Sequence, residues 1–127
     1  MPGEWEPHKC VWLCRPHNAE TWPGCLDQAI AQFEYLLNAL QARVAVANLD
    51  VIGVPTDDAW VRDYGPIFVV DNQSPSALQD VGHANLACHD FRFNGWGGKY
   101  GPHERDDLVT HRIARHLEIP CFDHSLI

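Results

Sequence analysis

The sequence predicts an α/β fold in which short strands alternate with two amphipathic helices. Over two segments, apolar residues recur at intervals of three and four, which is the spacing of one helix face. Short runs rich in β-branched or alternating apolar residues lie beside these segments. The order strand, helix, strand therefore occurs about twice, which indicates units of a larger repeating α/β architecture.

The first unit begins with a strand predicted over residues 10–14, which are rich in β-forming side chains. A helix is predicted over residues 24–43, where five apolar residues step by four and three. We expect Asn18 or Thr21 to cap this helix and Pro23 to occupy its first turn. The five apolar residues that define its buried face are Leu26, Ile30, Phe33, Leu37 and Leu40.

A β-branched segment completes the first unit. Residues 44–54 are predicted to be a strand that is interrupted around residues 48–50. Pro55 then ends regular structure and opens a charged loop. The next strand is predicted over residues 67–71, directly after that loop.

The second unit continues from this strand through a solvated turn at residues 72–76. Alternation predicts a strand over residues 86–93, with Leu86, Cys88 and Asp90 on one face. A second helix is predicted over residues 104–118, with three acidic residues in the first turn, where they suit the positive end of the helix dipole. These acids are Glu104, Asp106 and Asp107. A final strand is predicted over residues 119–127.

The bulk properties favour a single soluble, globular domain of 127 residues. Hydrophobic residues make up 46% and charged residues 20%, which is typical of a folded chain rather than a disordered one. The net charge of −8 argues against a nucleic-acid partner and slightly favours small cations. No apolar stretch approaches the ~18 residues of a membrane helix, and the N-terminus lacks a signal-peptide pattern. We therefore expect a cytoplasmic protein that binds neither nucleic acid nor membrane.

Five cysteines without a framework pattern are typical of reduced thiols in a cytoplasm. A metal cluster of His8, Cys10, Cys14 and His17 is the alternative. On a strand, however, residues four apart lie roughly 13 Å from each other, too far to share one zinc ion at about 2.3 Å per sulfur. We expect no metal site here and no disulfide between the two cysteines. We also expect no cysteine in the electropositive setting that an activated nucleophile needs.

Two runs carry the functional signal. Residues 55–66 (PTDDAWVRDYGP) place three carboxylates, an arginine and a tryptophan just before an apolar strand. Within this run, Asp57 and Asp58 are predicted to form turns through side-chain bonds to backbone N–H groups. Residues 90–100 (DFRFNGWGGKY) leave a strand through glycines that let the backbone approach a ligand closely. Because carboxylates accept paired N–H bonds and aromatic rings cover cations, the two runs indicate a pocket for a flat cationic group.

With EWEPH at residues 4–8 and TWPG at residues 21–24, these two runs resemble the agmatine deiminase and bacterial peptidylarginine deiminase family. The resemblance extends from Trp5 to about Phe122. It implies a pentein fold, in which five ββαβ-type units surround a pseudo-fivefold axis and the substrate lies in the central channel. This chain would hold about the first two of those units. The resemblance also implies hydrolysis of a guanidinium group to a ureido group, with release of ammonia and without a metal or organic cofactor.

The resemblance assigns roles to particular residues. By match to the family's motif, Asp63 is the catalytic-site carboxylate that binds the guanidinium nitrogens, and Trp60 lines the pocket beside it. Trp96, in the second run, is a further candidate for the pocket wall. The alternatives are a surface carboxylate at Asp63, paired with Arg62, and tryptophans that are packed in the core or under a loop.

The family's second substrate carboxylate, its catalytic histidine and its nucleophilic cysteine have no match in this chain. We therefore expect residues 1–127 to be the N-terminal portion of a single deiminase domain, without turnover alone. The complete enzyme would convert agmatine and water to N-carbamoylputrescine and ammonia, which feeds polyamine synthesis; peptidylarginine is the alternative substrate. A second hypothesis is a non-catalytic binding or assembly module that needs the rest of the fold and self-associates through unfinished strands. A third is a non-functional remnant.

Overall fold

The computed structural model of the chain describes Trp5, residues 9–71 and residues 85–124. The strands are β1 (Cys10–Leu13), β2 (Ala45–Asn48), β3 (Ile67–Val70), β4 (Leu86–Phe91) and β5 (Cys121–His124). The helices are α1 (Leu26–Gln41), the short α2 (Val61–Tyr64), the short α3 (Gly95–Gly98) and α4 (Val109–Leu117). Within the described ranges, no helix combines the length and apolarity that crossing a membrane requires. The predicted alternation of strands and helices is confirmed.

The first unit is a β1–α1–β2 arrangement with parallel strands. Cys10 lies opposite Ala45, and the register continues to the end of both strands. Parallel neighbours need a crossover connection, which α1 supplies. The predicted apolar face of α1 is confirmed, since Phe33 is buried and its four companions are partly buried.

The predicted start of α1 is wrong. The helix begins after Cys25, which makes no capping bond with its side chain, and Pro23 precedes it. Neither Asn18 nor Thr21 caps the helix, because both side chains donate hydrogen bonds to the Asp58 carboxylate. These two polar side chains, which lie near the start of the helix in sequence, therefore bind a distant loop instead of the helix end.

The predicted interruption after β2 is confirmed, but the strand does not resume after it. The chain instead turns through Gly53, whose φ of +74° is in the left-handed region that favours glycine. This turn leaves Val51 82% exposed. The Val54 amide donates to the Leu49 carbonyl at 2.9 Å, which closes the turn over the fully buried Leu49 side chain.

The second unit is a ββαβ arrangement. Strand β3 pairs antiparallel with β4, and β4 pairs parallel with β5. Helix α4 makes the crossover between β4 and β5 and packs on the sheet through Ala114 and Leu117. The predicted faces of β4 are confirmed, since Cys88 and Asp90 are buried on the side that faces α4.

The second helix begins at Val109, later than predicted, so the acidic residues before it do not lie in its first turn. The side chains of Asp106 and Asp107 bind backbone groups of other segments instead. Asp107 Oδ1 accepts a hydrogen bond from the Phe93 amide at 2.7 Å, and Asp106 Oδ1 accepts one from the Asp57 amide at 2.6 Å. These two carboxylates are therefore held in place by tertiary hydrogen bonds and not by the helix dipole.

One hydrophobic core joins the two units. The buried residues Cys14, Leu49 and Val54 of the first unit pack with Val109 and Ile113 of helix α4. Three features discussed from sequence lie outside the described residues, namely His8, the predicted turn at 72–76 and residues 125–127 of the final strand.

Candidate functional site

Residues 55–66, which we call the acidic loop, are held in place by buried hydrogen bonds. The Tyr64 hydroxyl donates to the Asp58 carbonyl at 2.6 Å. The Thr110 hydroxyl, on α4, donates to the Tyr64 carbonyl at 3.1 Å. The Cys14 thiol lies 3.3 Å from the Thr56 hydroxyl. All five residues are buried, so the loop is fixed to both β1 and α4.

Asp58 has the turn-forming role that the sequence predicts, whereas the prediction for Asp57 is wrong, because its carboxylate binds the amide of Arg105 in a distant segment. Asp58 Oδ1 accepts a hydrogen bond from the Ala59 amide at 2.7 Å, while its Oδ2 accepts one from the Thr21 hydroxyl. Asp57 Oδ2 accepts a hydrogen bond from the Arg105 amide at 2.8 Å. These two carboxylates organise the loop and are not available to a ligand.

Asp106 is a site residue that sequence reasoning missed. Its side chain is 2% exposed, and Oδ1 accepts hydrogen bonds from the amides of Asp57 at 2.6 Å and Asp58 at 3.3 Å. Burial raises the pKa of Asp106 to about 6, against the lowering effect of those two bonds, and the neighbouring carboxylates raise it further. Its partners are far away in the sequence, so no local pattern could have identified the contact.

Asp63, the predicted guanidinium-binding carboxylate, lies on α2 and is exposed. Within residues 9–71 and 85–124, its carboxylate makes no hydrogen bond or ion pair. The alternative that Asp63 pairs with Arg62 is therefore not found. This carboxylate differs from those of Asp57 and Asp58 because its acceptor sites are available.

The two predicted pocket tryptophans lie against each other. The rings of Trp60 and Trp96 meet edge to face, with centroids 6.0 Å apart and an interplanar angle of 84°. Trp60 precedes α2 and is 41% exposed, while Trp96 lies on α3 and is 45% exposed. Neither ring is a core residue, so the structure joins the two sequence runs at one exposed aromatic surface.

The backbone that carries Trp96 is a left-handed turn. Trp96 has φ 56° and ψ 50°, and φ is also positive at Gly95, Gly97 and Gly98. A non-glycine residue in this region costs roughly 1–2 kcal/mol. The turn is stabilised by the Asn94 side chain, which accepts a hydrogen bond from the Gly97 amide at 2.8 Å. The three glycines are thus needed to aim the indole, and such strain is frequent at functional sites.

An aromatic cluster supports this surface. Phe93 contacts Trp96 with centroids 5.1 Å apart, and Tyr64 contacts Phe93 at 5.8 Å. Tyr100 also contacts Trp96 edge to face, with centroids 5.6 Å apart. Tyr64 is part of the acidic loop, and its hydroxyl bonds the Asp58 carbonyl of the same loop. The cluster therefore links Trp96 to the segment that carries Asp63. An available carboxylate and aromatic rings on linked segments are the groups that bind a planar cation.

Most of the cysteine thiols that the structure describes lie in surroundings that disfavour the thiolate. Burial raises the pKa of four of the five cysteine thiols, which keeps them protonated; these are Cys10, Cys14, Cys88 and Cys121. His111 Nε2 lies 2.9 Å from Asp90 Oδ2, and His17 Nδ1 contacts the Arg15 carbonyl. Over the same residues, no group of three or more histidine, cysteine and acidic side chains is arranged to hold a metal ion.

A cavity of about 370 Å³ lies at one end of the β3–β4–β5 sheet. It is lined by apolar residues such as Val69, Leu86 and Phe122 and by none of the three predicted site residues. The candidate site is instead the exposed Trp60–Trp96 pair together with Asp63, which lies on α2 directly after Trp60.

Comparisons with known proteins bear on both the fold and the site. The family model of Porphyromonas-type peptidyl-arginine deiminases matches residues 1–127. The agmatine deiminase of Pseudomonas aeruginosa (strain LESB58) is 35% identical over 136 residues, which cover 89% of this chain and 34% of that protein. The agmatine deiminase of Medicago truncatula is 33% identical over 148 residues, which cover 100% of this chain and 39% of that protein.

A comparison with solved structures supports the same fold. The structure described as the agmatine deiminase of Enterococcus faecalis catalyzing its reaction matches with a TM-score of 0.77 at 24% identity. The match covers 98% of this chain and 37% of that one, and it confirms the predicted pentein architecture for the part present. The chain spans between a third and two fifths of the length of these relatives.

Proposed function

The chain belongs to the Porphyromonas-type peptidyl-arginine deiminase family, and on that basis we propose that it forms the guanidinium-binding part of an agmatine deiminase. The proposed reaction hydrolyses agmatine to N-carbamoylputrescine and ammonia. Relatives that bear the name agmatine deiminase support this choice of substrate. In this proposal residues 1–127 are the N-terminal portion of one deiminase domain, which acts in the cytoplasm in putrescine biosynthesis.

The observation that carries the proposal is the Asp63 carboxylate, which is exposed and without a partner in the described residues, three residues after Trp60 of the Trp60–Trp96 pair. The other two carboxylates of the acidic loop have partners: Asp57 accepts from the Arg105 amide, and Asp58 accepts from the Ala59 amide and the Thr21 hydroxyl. A carboxylate without a partner, on a loop anchored by buried bonds, has both oxygens available to accept N–H groups of a ligand. The net charge of −8 favours a cationic ligand over an anionic one.

Each proposed residue has a defined task. Asp63 accepts two parallel N–H bonds from the planar guanidinium and so fixes its rotation. Trp60 and Trp96 present ring faces and edges that cover the cation and exclude water. The held group then presents its central carbon to an attacking nucleophile in a fixed geometry, which is the contribution of orientation to the rate. No metal or organic cofactor is part of this proposal.

A binding experiment tests the assignment. Agmatine is titrated into the chain while NMR follows the indole N–H signals of Trp60 and Trp96 and the backbone amide of Asp63. Since hydrogen bonds to charged groups contribute about 1.5–3 kcal/mol, Asp63→Asn should weaken binding by roughly tenfold or more. Asp27→Asn, which removes an equally exposed acid on α1, is the matched control and should leave the affinity within a factor of about two. Equal weakening by both substitutions, or no response at the three site residues, would contradict the proposal.

Two analogues then identify the substrate class. Putrescine has the same chain as agmatine without the guanidinium, and N-acetyl-arginine amide represents peptidylarginine. We expect agmatine to bind more tightly than either. Stronger binding of N-acetyl-arginine amide would favour the alternative, a peptidylarginine deiminase.

A second candidate function is a non-catalytic assembly module. It is favoured by the apolar side chains that the β3–β4–β5 sheet exposes, since Ile67, Phe91 and Phe122 are 40%, 45% and 50% exposed. Size-exclusion chromatography with light scattering tests self-association of the chain. A monomer that stays monomeric at high concentration and unfolds cooperatively argues against this candidate.

A further inference from the structure

Two adjacent carboxylates just before α4 bind the two runs that carry the candidate site. Asp106 Oδ1 accepts hydrogen bonds from the amides of Asp57 at 2.6 Å and Asp58 at 3.3 Å, in the acidic loop. Asp107 Oδ1 accepts one from the amide of Phe93 at 2.7 Å, in the second, glycine-rich run. The two runs are therefore joined through two consecutive residues of a third segment.

This third segment, residues 103–108, is itself fixed, and we call it the pre-helix turn. The Asp107 amide donates to the His103 carbonyl at 2.9 Å, which closes the turn. The Val109 amide, at the start of α4, donates to the Asp106 carbonyl at 3.0 Å. Because Val109 is fully buried in the core, the turn that presents the two carboxylates is anchored to the interior of the fold.

Further bonds hold the acidic loop against the pre-helix turn. The Arg105 amide donates to Asp57 Oδ2 at 2.8 Å, while the Asp57 amide donates to Asp106. The Arg112 guanidinium, on α4, donates to the carbonyls of Pro55 at 2.9 Å and Arg105 at 3.2 Å. A shift of the acidic loop relative to α4 would therefore break several hydrogen bonds at once.

The glycine-rich run is connected to the pre-helix turn through Phe93. Besides the bond from its amide to Asp107, the Phe93 ring contacts the His103 ring edge to face, with centroids 6.1 Å apart. The same ring contacts Trp96 at 5.1 Å, and Trp96 contacts Trp60 at 6.0 Å. The bond between Phe93 and Asp107 is thus only one ring contact away from the indole of Trp96.

We propose that Asp106 and Asp107 are positioning residues that together set the distance and angle of the Trp60–Trp96 pair. Asp106 fixes the run that carries Trp60, and Asp107 fixes the run that carries Trp96, at two consecutive points of one anchored turn. A binding site requires such support, because its side chains must be held close to the productive geometry. The effect on guanidinium binding rests on the proposed function, whereas the alignment of the two rings depends on no ligand.

An ion pair with Arg92 is the alternative role for Asp107. Arg92 Nε lies 3.7 Å from Asp107 Oδ2, and the Arg92 side chain is 81% exposed. Exposed ion pairs contribute little to stability, so we assign the positioning role to the bond with the Phe93 amide. Substitutions separate the two roles. Asp107→Asn retains an oxygen that can accept the amide bond but loses the ion pair, and Arg92→Gln loses the ion pair alone.

NMR of the chain without ligand tests the alignment. Nuclear Overhauser effects between the ring protons of Trp60 and Trp96 should be present in the unsubstituted chain and lost in Asp107→Ala. Asp107→Asn and the matched control Arg92→Gln should retain them. Apparent affinity falls with the fraction of chains in the binding-competent state, so agmatine should bind Asp107→Ala about tenfold more weakly if about a tenth of the chains remain aligned. Its affinity for Asp107→Asn and Arg92→Gln should stay within a factor of about two.

Retention of the Trp60–Trp96 signals in folded Asp107→Ala would overturn the proposal, even if that variant melted at a lower temperature, since its role would then be structural only. Loss of the signals in Arg92→Gln would also overturn it. If the signals respond as expected but agmatine binds none of the chains, the positioning role stands and the proposed function fails.

A second measurement on the unsubstituted chain applies even if Asp107→Ala does not fold. The amides of Asp57 and Phe93 should be protected from hydrogen exchange to a degree similar to the amide of Ile113 inside α4. Unprotected exchange at Phe93 would show that its bond to Asp107 opens freely and would overturn the proposal.

Discussion

Replacement of Asp106 by Asn removes a buried negative charge while retaining an Oδ1 atom that can accept the bonds from Asp57 and Asp58. Burial raises the pKa of Asp106 from 3.8 to about 6. The folded state therefore holds this proton at pH values where the unfolded chain has already released it. Its contribution to stability is fully present below pH 3.8 and is lost as the pH rises through about 6.

The expected magnitude follows from the shift. One pKa unit corresponds to 1.36 kcal/mol, so a shift of about two units is worth about 3 kcal/mol. Between pH 4 and pH 7, which covers most of this transition, the free energy of unfolding of the wild-type chain should fall by about 2 kcal/mol more than that of Asp106→Asn. The side chain is 2% exposed, so solvent screening does not reduce this figure appreciably.

Urea unfolding followed by tryptophan fluorescence, at half-unit pH steps from 4 to 7.5, measures this difference. Asp27→Asn is the control, because an exposed acid should leave the pH dependence close to that of the wild type. The reasoning would be refuted if Asp106→Asn and the wild type lost the same stability over this range. It would also be refuted if the wild type gained stability relative to the variant as the pH rose, since that result would mean the amide bonds to Asp106 outweigh its burial.

Two further substitutions test the support of the site. Gly95→Ala should destabilise the chain by about 3 kcal/mol or more, because a Cβ there collides with the Tyr100 carbonyl at a positive φ, whereas Gly97→Ala meets no atom within 4 Å and should cost only about 1–2 kcal/mol. Similar costs for both in thermal unfolding would contradict the proposed close approach. Thr110→Val removes the hydroxyl that bonds the Tyr64 carbonyl and should cost about 1–3 kcal/mol in urea unfolding, while Thr110→Ser should retain most of the stability. An unchanged midpoint for Thr110→Val would show that this bond does not hold the acidic loop.

Local patterns predicted the elements whose stability depends on one buried face. The face of α1 follows from apolar spacing, and Phe33 on that face is buried as expected. The alternation in β4 likewise identified Cys88 and Asp90 as its inner face. The helix starts were predicted less well, because the polar side chains near them bind remote loops instead of the helix ends.

The candidate site was predicted in composition but not in arrangement. The motif match named Trp60 and Asp63, and the glycine-rich run added Trp96. Nothing in the sequence indicated that the two indoles touch, or that a left-handed turn aims one of them. The role assigned to Asp63 stays a prediction until the binding experiment is done.

The amino-acid order alone predicted the five strands and the two longer helices, and it carried the motifs of the family, because both depend on neighbours in the chain. Tertiary structure alone decided which carboxylates hold the fold and which remain available. Asp106 and Asp63 are similar acids in sequence, yet one is buried against two amides and the other faces solvent. The register of β4 and β5 likewise decided that His89 meets His124. The physical reason is that burial and pairing arise from contacts between segments distant in the chain, which local periodicity does not encode.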